Sequence, residues 1–114
     1  MTRQFIELDF FSKCWKALGL DDNALDMLER QLLVNPDAGA VMPGCGGARK
    51  IRVALPGRGK SGSCRIIYID SPLKKCMFFI FAYPKNKQQA LTAEQKQFVR
   101  DMVKEIKKEG NNYG

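Results

Sequence analysis

Eight consecutive apolar residues, Cys76-Met77-Phe78-Phe79-Ile80-Phe81-Ala82-Tyr83, dominate the second half of the chain. An unbroken apolar run of this length reads as a central strand buried on both faces. Two more strands precede it. From Arg49 to Leu55, the apolar Ile51, Val53 and Leu55 alternate with Lys50, Arg52 and Ala54, which gives one apolar and one basic face. Cys64 to Asp70 supplies the next strand, and Ser71-Pro72 a turn. Short connections between the three predict an antiparallel meander.

The remaining segments carry helical spacing. Phe10, Phe11, Cys14, Trp15 and Leu18 recur on one helix face, and Gly19 stops it. Asp21 or Asp22 caps a second helix striped by Leu25, Leu28 and Leu32, which Asn35-Pro36 ends because a residue before proline avoids the α region. Residues 37–47 read as a loop. Near the C-terminus, Thr92 and Gln95 have capping-box spacing ahead of a stripe of Phe98, Val99, Met102, Val103 and Ile106, and Gly110 closes that helix. With a short strand from Arg3 to Leu8, the order is β-α-α-β-β-β-α. This is an α+β fold in which helices pack on a small antiparallel sheet, and 114 residues suit a single domain spanning 1–114.

The chain contains no histidine, which excludes Ser–His and Cys–His pairs, His-ligated metals and an imidazole base. Its four cysteines, at 14, 45, 64 and 76, show no Cys-x-x-Cys spacing. Glu7 and Asp9 interrupt the stretch where a signal peptide needs an apolar run, so the expectation is a cytoplasmic protein whose thiols are reduced packing residues.

Charge is concentrated in the middle. The net charge is +7, and residues 44–75 alone carry eight basic side chains against one acidic. Such a local field attracts polyanions, with nucleic acid the first candidate and an acidic protein the second. Lys50 and Arg52 share a strand face, and Arg65 can join them from the neighbouring strand. Clustered cations can hold a phosphate and stabilise the added charge of a pentacovalent transition state. Crowded cations also disfavour one another's charge, which would let a lysine take a proton from a ribose 2′-hydroxyl. The same pattern describes a solvent-facing sheet side coated in charge. Gly57-Arg58-Gly59-Lys60-Ser61-Gly62 lacks the spacing of a phosphate-binding P-loop and precedes a strand, so it reads as a flexible basic connection able to touch a phosphate backbone. Tyr68 and Tyr83 could stack on a base or complete the core. Lys85 and Lys87 flank Asn86 in the loop after the apolar strand.

The combination of Gly46-Gly47-Ala48-Arg49-Lys50-Ile51-Arg52, Gly59-Lys60-Ser61-Gly62, Arg65-Ile66-Ile67-Tyr68 and Tyr83-Pro84-Lys85-Asn86 resembles the RelE/HigB superfamily of bacterial toxins, most closely its HigB-type branch. The resemblance covers nearly the whole chain. It implies a ribosome-dependent mRNA interferase that cuts mRNA in the A site without a metal or organic cofactor. It also implies a cognate antitoxin, commonly a helix-turn-helix protein, whose complex with the toxin binds operator DNA. The family's basic strand pair falls on Lys50 and Arg52, and its phosphate-binding arginine on Arg65. Where RelE-type members carry a further arginine that protonates the leaving group, this chain has Asn86. The C-terminal tyrosine of RelE has no counterpart here, so the resemblance leaves Lys85 or a water as the acid. The implied set is therefore Lys50, Arg52, Arg65 and Lys85 for catalysis, with Arg49, Arg58, Lys60, Tyr68, Asn86 and Lys87 contacting RNA or ribosome. ParE-type toxins share the fold but lack these cations and inhibit DNA gyrase. A module that binds nucleic acid without cutting it is a further alternative, and its binding would weaken steeply with salt.

Overall fold

The computed structural model describes residues 2–54, 63–85, 87–88 and 90–108. The chain order is β1 (Gln4–Glu7), α1 (Asp9–Ala17), α2 (Asp22–Val34), β2 (Ala40–Val41), β3 (Arg49–Ala54), β4 (Ser63–Ser71), β5 (Cys76–Pro84) and α3 (Ala93–Lys108). The expected signals set the helix ends. Gly19 takes the left-handed conformation (φ +75°) just past α1. The Asp21 carboxylate accepts from the Ala24 N–H at 3.0 Å at the start of α2. At α3, Thr92 Oγ1 accepts from the Gln95 N–H at 3.1 Å while Gln95 Oε1 accepts from the Thr92 N–H at 2.9 Å, forming the capping box.

The five strands form one sheet in the order β1-β5-β4-β3-β2. Strands β3, β4 and β5 make the antiparallel meander. Two features extend it. β1 runs parallel to β5, which makes the sheet mixed, and Arg3 ties this edge down with an ion pair to Asp70 at 2.7 Å. β2 arises inside the segment read as a loop, where Ala40 and Val41 pair with Lys50 and Arg49 and the Met42 N–H donates to the Ala48 carbonyl at 2.9 Å.

The apolar run of β5 is buried along Cys76–Tyr83, with cover on both sides. On one face, Phe11 and Trp15 of α1 and Leu28 and Leu32 of α2 pack against Ile51, Ile66, Tyr68, Met77 and Phe79. On the other, Val99, Val103 and Ile106 of α3 pack against Ile67, Ile69, Phe78 and Ile80. No helix among the described residues is long and apolar enough to cross a membrane.

Cys14, Cys45 and Cys64 are free thiols, and Cys45, Cys64 and Cys76 are buried. Burial pushes the Cys64 thiol up to about 11, with Arg65 pulling the other way. In the unfolded chain that thiol ionises near 9.0. As pH rises from about 9 to about 11, the unfolded state sheds the proton and the folded state keeps it, so stability falls across that window. Thermal denaturation across this range should show a falling midpoint, and Cys64→Ala should flatten the fall.

Candidate active site

Alternation along β3 sends Ile51 and Val53 to the α1/α2 face and leaves Lys50 and Arg52 on the α3 face. Antiparallel register then sets their neighbours. Arg52 is directly opposite Arg65, and Arg65 is directly opposite Tyr83. These three form a row across β3, β4 and β5. A parallel row on the same face runs Lys50, Ile67, Phe81. Beyond Arg65, the Lys85 N–H donates to the Ser63 carbonyl at 2.9 Å and continues the ladder by one step.

The position of Tyr83 in this row depends on a bulge. Tyr68 pairs with Phe79 but Ile67 pairs with Phe81, so Ile80 is an extra residue in β5. Upstream of it, odd-numbered residues such as Met77 and Phe79 face α1 and α2. Downstream, Phe81 and Tyr83 face the cations and α3. A bulge of one residue exchanges the faces of everything that follows.

Arg52 is exposed, and Lys50, Arg65 and Lys85 are half-buried. None of the four forms an ion pair with a carboxylate of the described residues. Directly opposed like charges destabilise a strand pair, so Arg52 against Arg65 is an arrangement that an anion would relieve. Three buried polar atoms of this region lack a hydrogen-bond partner among the described residues: Arg65 Nη1, the Tyr83 hydroxyl and Ser63 Oγ. Each unsatisfied buried group costs about 1–3 kcal/mol. Burial pushes the Tyr83 hydroxyl up, and Arg65 pulls it back, which marks the two side chains as electrostatic neighbours. A hollow of about 320 Å³ opens beside Lys50, walled by Val41, Met42, Pro43 and Leu91, with Lys96 of α3 across from it.

The structure separates the expected residues. Lys50, Arg52 and Arg65 share one face, with Lys85 at its end. Lys87 is exposed in the turn after β5. Arg58, Lys60 and Asn86 lie outside the described residues. One expectation of RNA contact needs correction, and Arg49 lies apart from the basic row. Tyr68 is fully buried on the α1/α2 face, where its hydroxyl donates to the Pro36 carbonyl at 2.7 Å and accepts from the Gly39 N–H at 2.9 Å. It is a core anchor for the segment after α2 and cannot stack on a base. The Arg49 guanidinium donates to the Gly39 carbonyl at 2.8 Å and lies 3.3 Å from the Asp37 carboxylate. It holds that same segment, with a quarter of its side chain exposed. Sequence reasoning left out Ser63 and Lys96, and it weighed Tyr83 only as a stacking or core residue.

The family model for the RelE toxin of the RelE/RelB toxin–antitoxin system matches residues 10–112. The chain belongs to the RelE toxin family. As a RelE-family protein it is the toxin of a toxin–antitoxin pair. Its fold is similar to that of the E. coli toxin RelE, solved in the free state as a double arginine-to-alanine variant, with a TM-score of 0.54 at 20% identity. The match covers 93% of this chain and 99% of that one.

Proposed function

We propose that this RelE-family toxin is a metal-independent endoribonuclease of the HigB-type branch, which cuts mRNA in the ribosomal A site in the cytoplasm and so stops translation. The observation that carries the reading is the Arg52–Arg65 pair, opposed across β3 and β4 with no carboxylate among the described residues to neutralise it. A scissile phosphate is the ligand such a pair suits, because its charge grows in the transition state.

In this mechanism Lys50 takes the proton of a ribose 2′-hydroxyl. The 2′-oxygen attacks the adjacent phosphorus while Arg52 and Arg65 hold the non-bridging oxygens. The bond to the 5′ oxygen breaks, leaving a 2′,3′-cyclic phosphate and a 5′-hydroxyl. Lys85, one step along the ladder, adds positive charge at the edge of the same face, and Lys87, Arg58 and Lys60 contact the RNA or ribosomal backbone. Lacking histidine, the site gains from a substrate that the ribosome has already aligned. A helix-turn-helix antitoxin neutralises the toxin, and the operator DNA is contacted through that complex. Uncompensated cations at all three of these positions argue against a ParE-like gyrase inhibitor.

Primer extension on an mRNA in a translating extract tests the reading. Discrete 5′ ends inside the reading frame, absent when ribosomes are omitted, are the expected result. Intact mRNA with normal translation would overturn it.

A further inference from the structure

We propose that the outer edge of β3 and the groove beside it hold an extended segment of the antitoxin, one in which acidic and apolar residues alternate. The inference rests on the toxin–antitoxin pairing and not on RNA cleavage.

β3 pairs with β4 along Arg49–Ala54, whereas on its other side β2 reaches only Arg49 and Lys50. Along an antiparallel strand the backbone groups of successive residues turn to opposite sides. The Ala48 carbonyl accepts from the Met42 N–H on the β2 side, so the N–H and C=O groups of Arg52 and Ala54 turn to that side too. No strand among the described residues pairs with them there. Arg52 and Ala54 are also exposed. A free strand edge is a template for one more strand.

A groove borders this edge. A hollow of about 720 Å³ runs along α2 from Asp21 to Val34, and Arg52, Val53 and Ala54 form its other wall. Leu28 and Leu32 already bury one stripe of α2 against the sheet. Met27 and Val34, seven residues apart on the helix, form a second stripe along the groove, and both are exposed. Apolar surface beside unpaired backbone suits a protein segment better than it suits phosphates.

Alternation then sets the chemistry of the occupant. In an added strand, the residue opposite Arg52 shares its face, and those opposite Ile51 and Val53 turn towards α2. Arg52 forms no ion pair with the described residues, so a carboxylate suits the position opposite it. Apolar side chains suit the flanking positions over the groove. The other charges there are engaged: Arg30 pairs with Asp26 at 2.8 Å, and the Asp21 carboxylate caps α2. A second copy of this chain, docked edge to edge, would instead set Arg52 and Lys50 against the same cations of its partner. A bound acidic–apolar segment covers Arg52, a cation of the basic row, without entering the hollow beside Lys50.

The test is a titration of the isotope-labelled full chain with two blocked peptides of equal length and composition. In one, glutamate and leucine alternate; in the other, they stand in two blocks. The alternating peptide should bind about tenfold tighter or more, a gap of about 1.4 kcal/mol, and should slow hydrogen exchange at the Arg52 and Ala54 amides. Met27→Glu, at an exposed position that should leave the thermal midpoint unchanged, should weaken that peptide by about tenfold or more. In the complex with the antitoxin, the Arg52 and Ala54 amides should be protected in the same way. Equal binding of the two peptides, or an antitoxin complex in which those amides exchange as in the free toxin, overturns the assignment. So does a free toxin that shields them by self-association, or an RNA oligomer whose binding is lost in Met27→Glu. A chain that forms no complex with any antitoxin overturns the pairing itself and this inference with it.

Discussion

Arg65→Ala should reduce single-turnover mRNA cleavage by about 10²–10³-fold, the range found when one preorganised donor to a developing negative charge is removed. Substrate binding should weaken far less, because Arg52, Lys50 and the surrounding cations still attract the backbone. The fold should be unharmed. Arg65 forms no ion pair with the described residues, its Nη1 has no partner among them, and its removal ends the like-charge opposition with Arg52. A rate within a few-fold of wild type would remove Arg65 from the transition state. Loss of rate accompanied by a large drop in thermal midpoint would instead make it structural.

Phe79→Ala should be the most damaging single truncation for stability, by about 3–5 kcal/mol. Phe79 is fully buried in the middle of β5, stacked on Phe11 at 5.0 Å and on Phe5 at 5.7 Å. Those contacts bind α1 and β1 to the central strand. They lie immediately before the bulge that orients Phe81 and Tyr83, so a cavity here reaches the site through the strand. Against a typical total of about 5–15 kcal/mol, the loss leaves a protein near its folding limit. Phe10→Ala, at a residue 44% exposed, should cost clearly less. Chemical denaturation of both variants measures the difference, and equal costs would contradict this picture of the core.

The most regular parts of the chain were the most legible. Lys50 and Arg52 share a face because strand side chains repeat every two residues, and Arg65 joined them as soon as β3 and β4 paired. The helix ends were readable because Gly19, Asp21 and the Thr92–Gln95 pair each have a single local job. Other features depend on tertiary placement. β1 gives no sign in its four residues that it will run parallel beside β5. β2 owes its two residues to hydrogen bonds with Lys50 and Arg49, not to an apolar pattern of its own.

The site residues divide along the same line. Arg49 and Tyr68 lie on the side away from the basic face, and alternation shows it: each is an odd number of residues from a cation of that face. Tyr83 is the reverse case. Its odd number, counted from Met77 and Phe79, puts it with the α1/α2 core, and only the bulge at Ile80 moves it. Nothing in eight consecutive apolar residues shows where a ladder will accept an extra one.

The central claim is that the Lys50, Arg52 and Arg65 face cuts RNA. The most direct measurement is end-group analysis of a defined mRNA held in the ribosomal A site and treated with the purified toxin in a single turnover. The account predicts one cut in the A-site codon with a 2′,3′-cyclic phosphate on the upstream fragment and a 5′-hydroxyl on the downstream one. It also predicts no cut by the triple variant Lys50→Ala, Arg52→Ala, Arg65→Ala. An intact mRNA with the wild type, together with inhibition of gyrase supercoiling, would contradict it.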